Sequence, residues 1–126
     1  MNRPLAFIIE DDPNLSEIFA EALTEAGFTA EIINRGDKAL ARLAETVPKI
    51  VLLDIHLPGV NGDEILRHIR THPRLARARN VIASADHALA QTREAGADLT
   101  LLKPVGSIQL RDLDRRFLSE HPHAYR

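Results

Sequence analysis

One stretch constrains the fold more than any other: Lys49-Ile-Val-Leu-Leu-Asp54-Ile-His-Leu-Pro58-Gly-Val-Asn-Gly62. Ile50 to Leu53 is an unbroken apolar, β-prone run that stops at an aspartate, and a loop rich in Pro and Gly follows. Such a run, bounded by turn residues, predicts a strand buried on both faces, as in a parallel sheet covered by helices on each side. Asp54 then sits at the carboxyl end of a central strand. In open α/β sheets that edge is where ligands bind. The function therefore turns on what else reaches Asp54.

The 126 residues fit one domain, 1–126, with no visible linker or repeat. A formal charge of −2 gives no electrostatic footprint for nucleic acid. The absence of cysteine excludes a disulfide framework and any thiolate metal site. No apolar run approaches the roughly 18 residues of a membrane span, and the first residues lack a signal-peptide core. The expectation is a water-soluble, cytoplasmic protein with neither membrane nor nucleic acid as partner.

Along the chain, Leu5 to Ile9 is a second apolar run, ending in Glu10-Asp11-Asp12-Pro13. Proline suits the first turn of a helix, and acids just before it suit the helix's positive end. Leu15, Ile18, Phe19, Ala22, Leu23 and Ala26 then recur at helical spacing as a predicted buried stripe, which Gly27 stops. Phe28 to Ile33 predicts a strand. Gly36-Asp37 opens a helix with Ala39, Leu40, Leu43 and Ala44 inward, and Pro48 closes it. After the central strand, Asn61 is the expected N-cap of a helix over Gly62 to His72, with Ile65, Leu66 and Ile69 inward. Val81 to Ala83 is a short strand running into Ser84-Ala85-Asp86, and a helix of about eight to ten residues ends at Ala95-Gly96-Ala97. Leu99 to Leu102 is the fifth strand, delivering Lys103-Pro104. Ser107 can cap a last helix with Leu110, Leu113, Phe117 and Leu118 packing. Five strands alternating with five helices predict a doubly wound parallel α/β sheet with right-handed crossovers.

Four strands thus end in groups with chemistry: Glu10-Asp11, Asp54, Ser84 and Lys103. Taken singly each has an ordinary reading: a cap, a turn-starting serine, a solvated lysine. In a parallel sheet all four share one edge, and that coincidence is hard to get by accident. Two carboxylates ~5 Å apart repel by about 3 kcal/mol at an effective dielectric of ~20, so three converging acids call for a cation. Oxygen ligands beside a phosphate suit Mg²⁺. A carboxylate next to that ion can attack phosphorus and form an acyl phosphate, with a lysine and a hydroxyl neutralising the transferred oxygens. Asp54, Glu10, Asp11, Ser84 and Lys103 fill those roles.

The motifs Phe7-Ile-Ile-Glu10-Asp11-Asp12, Leu52-Leu-Asp54-Ile-His-Leu-Pro58-Gly59, Val81-Ile-Ala-Ser84-Ala85, Ala95-Gly96-Ala97-Asp98 and Lys103-Pro104 resemble those of response-regulator receiver domains of the chemotaxis-regulator type. The resemblance covers about residues 4–119 and leaves 120–126 as a tail. It implies a flavodoxin-like sheet in strand order 2-1-3-4-5. It also implies that Asp54 accepts a phosphoryl group from a phosphohistidine on a sensor histidine kinase or a histidine phosphotransfer protein. Asp11 and Asp54 would ligate Mg²⁺ directly, joined by the backbone carbonyl of His56, with Glu10 acting through water. Ser84 and Lys103 would bind the phosphoryl oxygens, and Ser84 would couple phosphorylation to the fourth strand and helix. The expected role is that of a stand-alone phosphoacceptor, not a conventional enzyme, capable of slow autodephosphorylation and signalling to a downstream protein by contact.

Two departures bear on signalling. The family commonly has Tyr or Phe three residues before this lysine, where Thr100 stands. The interval from Ser84 to Lys103 is also about three residues shorter than the common pattern, which shortens the fourth-helix region by about a turn. Phosphorylation is therefore a firmer expectation than the usual switch. His56 and Asp86, two positions beyond Asp54 and Ser84, are candidates for tuning water access to the acyl phosphate, or are plain loop residues. Glu64, His68 and His72 have a spacing that can bind zinc but lack a His-Glu-x-x-His pattern, so they read as a solvated helix face. Arg67, Arg70, Arg74, Arg77 and Arg79 read as basic surface or at most a docking patch. Ser84 and His87 are too loosely placed for a catalytic triad. Two rival functions remain: a pseudo-receiver that binds without being phosphorylated, and a haloacid-dehalogenase-like phosphatase. The second would need an aspartate where His56 stands and a substrate-selecting cap.

Overall fold

The computed structural model describes residues 3–85 and 96–118, and within these the side chains of Phe117 and Leu118 are not characterised. Its strands are β1 (Leu5–Ile9), β2 (Thr29–Ile33), β3 (Ile50–Asp54), β4 (Arg79–Ser84) and β5 (Leu99–Leu102). They pair in parallel in the order β2-β1-β3-β4-β5, the flavodoxin-like order. The helices are α1 (Pro13–Glu25), α2 (Gly36–Glu45), α3 (Gly62–Thr71) and α4 (Ser107–Leu113), the last running on into a π-helical turn over Asp114–Leu118. The helix expected ahead of Gly96, together with Asp86, His87 and the 120–126 tail, lies outside the described residues, as does the expected packing of Phe117 and Leu118.

Period-two alternation along each strand sends side chains to two separate cores. Ala6, Ile8, Ile50, Leu52, Val81, Leu99 and Leu101 meet Phe19 and Leu23 of α1 and Leu113 of α4 on one face. Phe7, Ile9, Val51, Leu53 and Ile82 meet Ala39 and Leu43 of α2 and Ile65, Leu66 and Ile69 of α3 on the other. Each fully buried Leu, Ile or Phe contributes about 1.5–3 kcal/mol. Both faces of β3 are therefore occupied by apolar packing, and every one of its residues is buried.

Strands β1, β3 and β5 lie where the sequence pattern predicts them, and the structure departs from that pattern where local spacing and tertiary position part company. The buried line of α1 runs through Ser16, Phe19 and Leu23, and Ile18, expected inward, lies to one side of it at 43% exposure. Ser16 tolerates burial because its hydroxyl donates to the carbonyl of Pro13 at 3.1 Å. Ala44 likewise falls off the Gly36–Ala39–Leu43 line of α2 and is exposed. Asn61 and Gly106 occupy the N-cap positions of α3 and α4 without a side-chain cap bond; Ser107 is the first residue of its helix, not its cap. Phe28 precedes β2 as a buried anchor.

The strand β4 begins two residues earlier than Val81, at Arg79, and so buries Asn80. The Asn80 backbone is satisfied by Asp98, whose Oδ2 accepts its N–H at 2.7 Å, while both polar atoms of its amide side chain lack a partner. A buried unsatisfied amide costs about 1–3 kcal/mol. Asn80→Leu, which keeps the branched shape, is expected to raise stability by about 1 kcal/mol, read as an increased urea midpoint at constant slope. A loss of stability instead would reveal a buried water that an apolar group cannot replace.

Candidate functional site

Parallel pairing puts the carboxyl ends of β1, β3, β4 and β5 at one rim, and the predicted site residues follow from it. Glu10 is the residue after β1, Asp54 ends β3, Ser84 ends β4 and Lys103 follows β5. The Lys103 ammonium lies 3.0 Å from Glu10 Oε1 and 3.3 Å from Asp54 Oδ2. Glu10, Asp11 and Asp54 each offer a carboxylate oxygen, and these oxygens lie within 4.8 Å of one another. Asp11 is exposed, whereas Glu10 and Asp54 are only 2% and 4% exposed. Ser84 is fully buried on the neighbouring strand tip, and its carbonyl accepts the Lys103 N–H at 2.8 Å.

Backbone donors fix both buried carboxylates. The Asp12 N–H donates to Glu10 Oε2 at 3.1 Å, and the His56 N–H donates to Asp54 Oδ1 at 3.1 Å. Asp12 is itself the N-cap of α1; its Oδ1 accepts from Asn14 and Leu15 N–H. The acidic run before Pro13 thus divides its labour, with Asp12 holding the helix and Glu10 and Asp11 facing the rim.

Electrostatically the pocket is uneasy. Burial pushes the Glu10 carboxyl up to about 7, against the Asp12 hydrogen bond and the Lys103 contact, and the nearby Asp54 charge adds to the rise. Burial also raises Asp54, opposed by the His56 N–H and the charge of Lys103. Burial alone would lower Lys103, but its contacts with Glu10 and Asp54 outweigh that and raise it. The ammonium beside Glu10 Oε1 is a charge contact, and that buried oxygen receives no well-directed hydrogen bond. One lysine facing three carboxylates leaves the cluster net negative. An all-oxygen donor set with more negative than positive charge fits a hard divalent cation.

One contributor escaped the sequence reading. Gln109, in the first turn of α4, accepts the Leu102 N–H at 2.6 Å through Oε1 and donates to the Leu102 carbonyl at 2.7 Å through Nε2. Its amide mimics a further strand on the open edge of β5 and so holds the backbone that delivers Lys103. Nothing about a glutamine in a helix's first turn signals this.

The chain matches the family model of the response regulator receiver domain over residues 6–113. It belongs to that family. The receiver is 33% identical over 110 residues to the phosphate regulon transcriptional regulatory protein PhoB of Rhizobium meliloti, a match covering 85% of this chain and 48% of that protein. It therefore spans about half the length of such curated relatives. Among solved structures, the Mn²⁺-bound form of response regulator Rcp1 superposes with a TM-score of 0.82 at 22% identity, covering 91% of the receiver and 94% of Rcp1. The receiver domain of sensor histidine kinase PA1611 from Pseudomonas aeruginosa, described with a magnesium ion in its active-site cleft, gives 0.77 at 23% identity, covering 93% and 98%. These likenesses show the fold. Receiver domains are phosphoacceptors rather than classical enzymes, and no described helix is long and apolar enough to cross a membrane.

The remaining candidates resolve simply. The His68 and His72 rings stack with centroids 3.8 Å apart, and His72 Nδ1 engages the His68 carbonyl at 2.6 Å, so the pair closes the end of α3. Arg74 donates to the carbonyls of Leu43 and Thr46 and ties off the end of α2.

Proposed function

We propose that Asp54 accepts a phosphoryl group from a phosphohistidine, on a sensor histidine kinase or a histidine phosphotransfer protein, in a Mg²⁺-dependent reaction. The modified receiver then signals to a downstream protein by contact. The observation that carries the reading is the Lys103 ammonium held between Glu10 and Asp54 in a pocket where three carboxylates converge.

Bound Mg²⁺ would neutralise charge on the transferred oxygens. Asp11 and Asp54 would hold it with the His56 carbonyl, and Glu10 through water. Asp54 supplies the nucleophile: a carboxylate oxygen forms a bond to phosphorus as the phosphorus–nitrogen bond breaks. The donor imidazole, protonated at its other nitrogen, leaves as the neutral ring. His56 N–H fixes Asp54 Oδ1, so the attacking carboxylate is oriented before the donor arrives. Lys103 stands ready to move from carboxylate to phosphoryl oxygen, and Ser84 supplies a hydroxyl at the adjoining strand tip. Beside Lys103 a groove walled by Leu15, Ile18, Pro104 and Val105 opens to solvent. The exposure of Ile18, unexpected for the α1 stripe, supports docking of the donor there.

Incubation with phosphoramidate or acetyl phosphate and Mg²⁺ should add the mass of one phosphoryl group to wild type and nothing to Asp54→Asn. Equal addition to both, or none to wild type, refutes the proposal; the second result is what a pseudo-receiver would give.

A further inference from the structure

The loop after Asp54, Ile55 to Asn61, carries His56 and is held from outside the site. The N–H of Gly36, the first residue of α2, donates to the Pro58 carbonyl at 3.0 Å. Gly36 is pressed so closely on the loop that a methyl group there would lie 1.8 Å from the Val60 carbonyl oxygen. Next to this contact Arg35 Nε pairs with Asp37 Oδ1 at 2.9 Å. That pair lies across Gly59, whose φ of +82° suits glycine and whose added methyl would stand 2.6 Å from Asp37 Oδ1. On its inner side the loop is closed by the Gly62 N–H on the Ile55 carbonyl at 3.0 Å and by Leu57 and Val60 packed on the α2–α3 core. Nothing in the chemistry of Asp54 requires the start of α2, yet the loop's position depends on it.

We propose that Arg35-Gly36-Asp37 is a positioning clamp for this loop, so that Gly36, at the start of α2, sets part of the Mg²⁺ affinity. The inference rests on the proposed function only for the identity of the ion. Outer-sphere supports of a metal site are typically worth about 10–100-fold in affinity, and a displaced loop carries His56 with it. The coupling is reciprocal: metal binding tightens the loop on α2, and whatever engages the start of α2 alters metal affinity by the same factor.

The test compares Gly36→Ala with Leu23→Ala, a core substitution in α1 that lowers the melting temperature from the opposite face of the sheet. Two readouts are followed by NMR: Mg²⁺ titration, and hydrogen exchange of the His56 and Gly62 amides in metal-free protein. Gly36→Ala should weaken Mg²⁺ binding about 10-fold and speed exchange at those amides beyond the global change, while Leu23→Ala leaves the Mg²⁺ affinity within about 2-fold of wild type. Equal behaviour of the two variants on both readouts overturns the clamp. If wild type takes up no Mg²⁺, the functional reading fails, and the exchange comparison alone then decides for or against the clamp.

Discussion

Lys103→Ala is expected to destabilise the metal-free receiver by about 2–4 kcal/mol near pH 8 and by well under half of that near pH 5. The ammonium bridges two carboxylates that are almost wholly buried, so its removal strands like charges in a poorly solvated pocket. The figure is below the about 3–5 kcal/mol for breaking a fully buried pair, because the lysine keeps 23% of its side chain exposed and water can partly replace it. The pH dependence follows from Glu10. Its folded-state value, already near 7 with the lysine present, is raised above the ordinary 4.5, and loss of Lys103 raises it further. A group so raised contributes stability that is fully present below 4.5 and is lost as pH climbs through its folded value. Near pH 5 the Glu10 carboxyl carries its proton and misses the lysine little. Urea unfolding of both proteins with chelator present would measure this. A penalty that is the same at both pH values would show that Lys103 acts through packing of its alkyl chain instead.

The legibility of this cluster in the sequence traces to β3. An apolar run cut off by an acid has one comfortable place, the rim of a buried parallel strand, and once β1, β4 and β5 are parallel to it their terminal residues must share that rim. Glu10, Asp11, Asp54 and Lys103 are therefore legible as a cluster in the sequence. Connections between elements were not legible, because they depend on meetings that no local period encodes. Gln109 on Leu102 and Gly36 on Pro58 join segments distant in pattern if not always in sequence. Burial of Asn80 also defied polarity, since a strand continues through a residue when its neighbours' hydrogen bonds outweigh one unsatisfied amide. Ile18 failed in the opposite sense. Helical spacing marks a broad stripe, while contact with the sheet uses only its middle.

Magnesium is expected to stabilise the receiver most where the empty pocket is least comfortable. At about 100-fold excess over its dissociation constant a native-state ligand adds about 2.7 kcal/mol, several degrees in melting temperature for a domain of this size. Ligating carboxylates must be ionised, so protons compete with the metal; burial raises Asp54, and Glu10 beside it is pushed up to about 7, so the competition grows as pH falls below about 7. The shift on adding Mg²⁺ should therefore be near its maximum at about pH 8 and small at about pH 5. Asp54→Asn gives the complementary result. Losing one buried charge should raise the metal-free melting temperature near pH 8 by the equivalent of about 1–2 kcal/mol and remove most of the Mg²⁺ shift. An Mg²⁺ shift that survives in Asp54→Asn, or that does not grow with pH, would place the ion elsewhere. Acids held close together, with too little positive charge to satisfy them until metal and phosphoryl donor arrive, are what a phosphoryl acceptor requires.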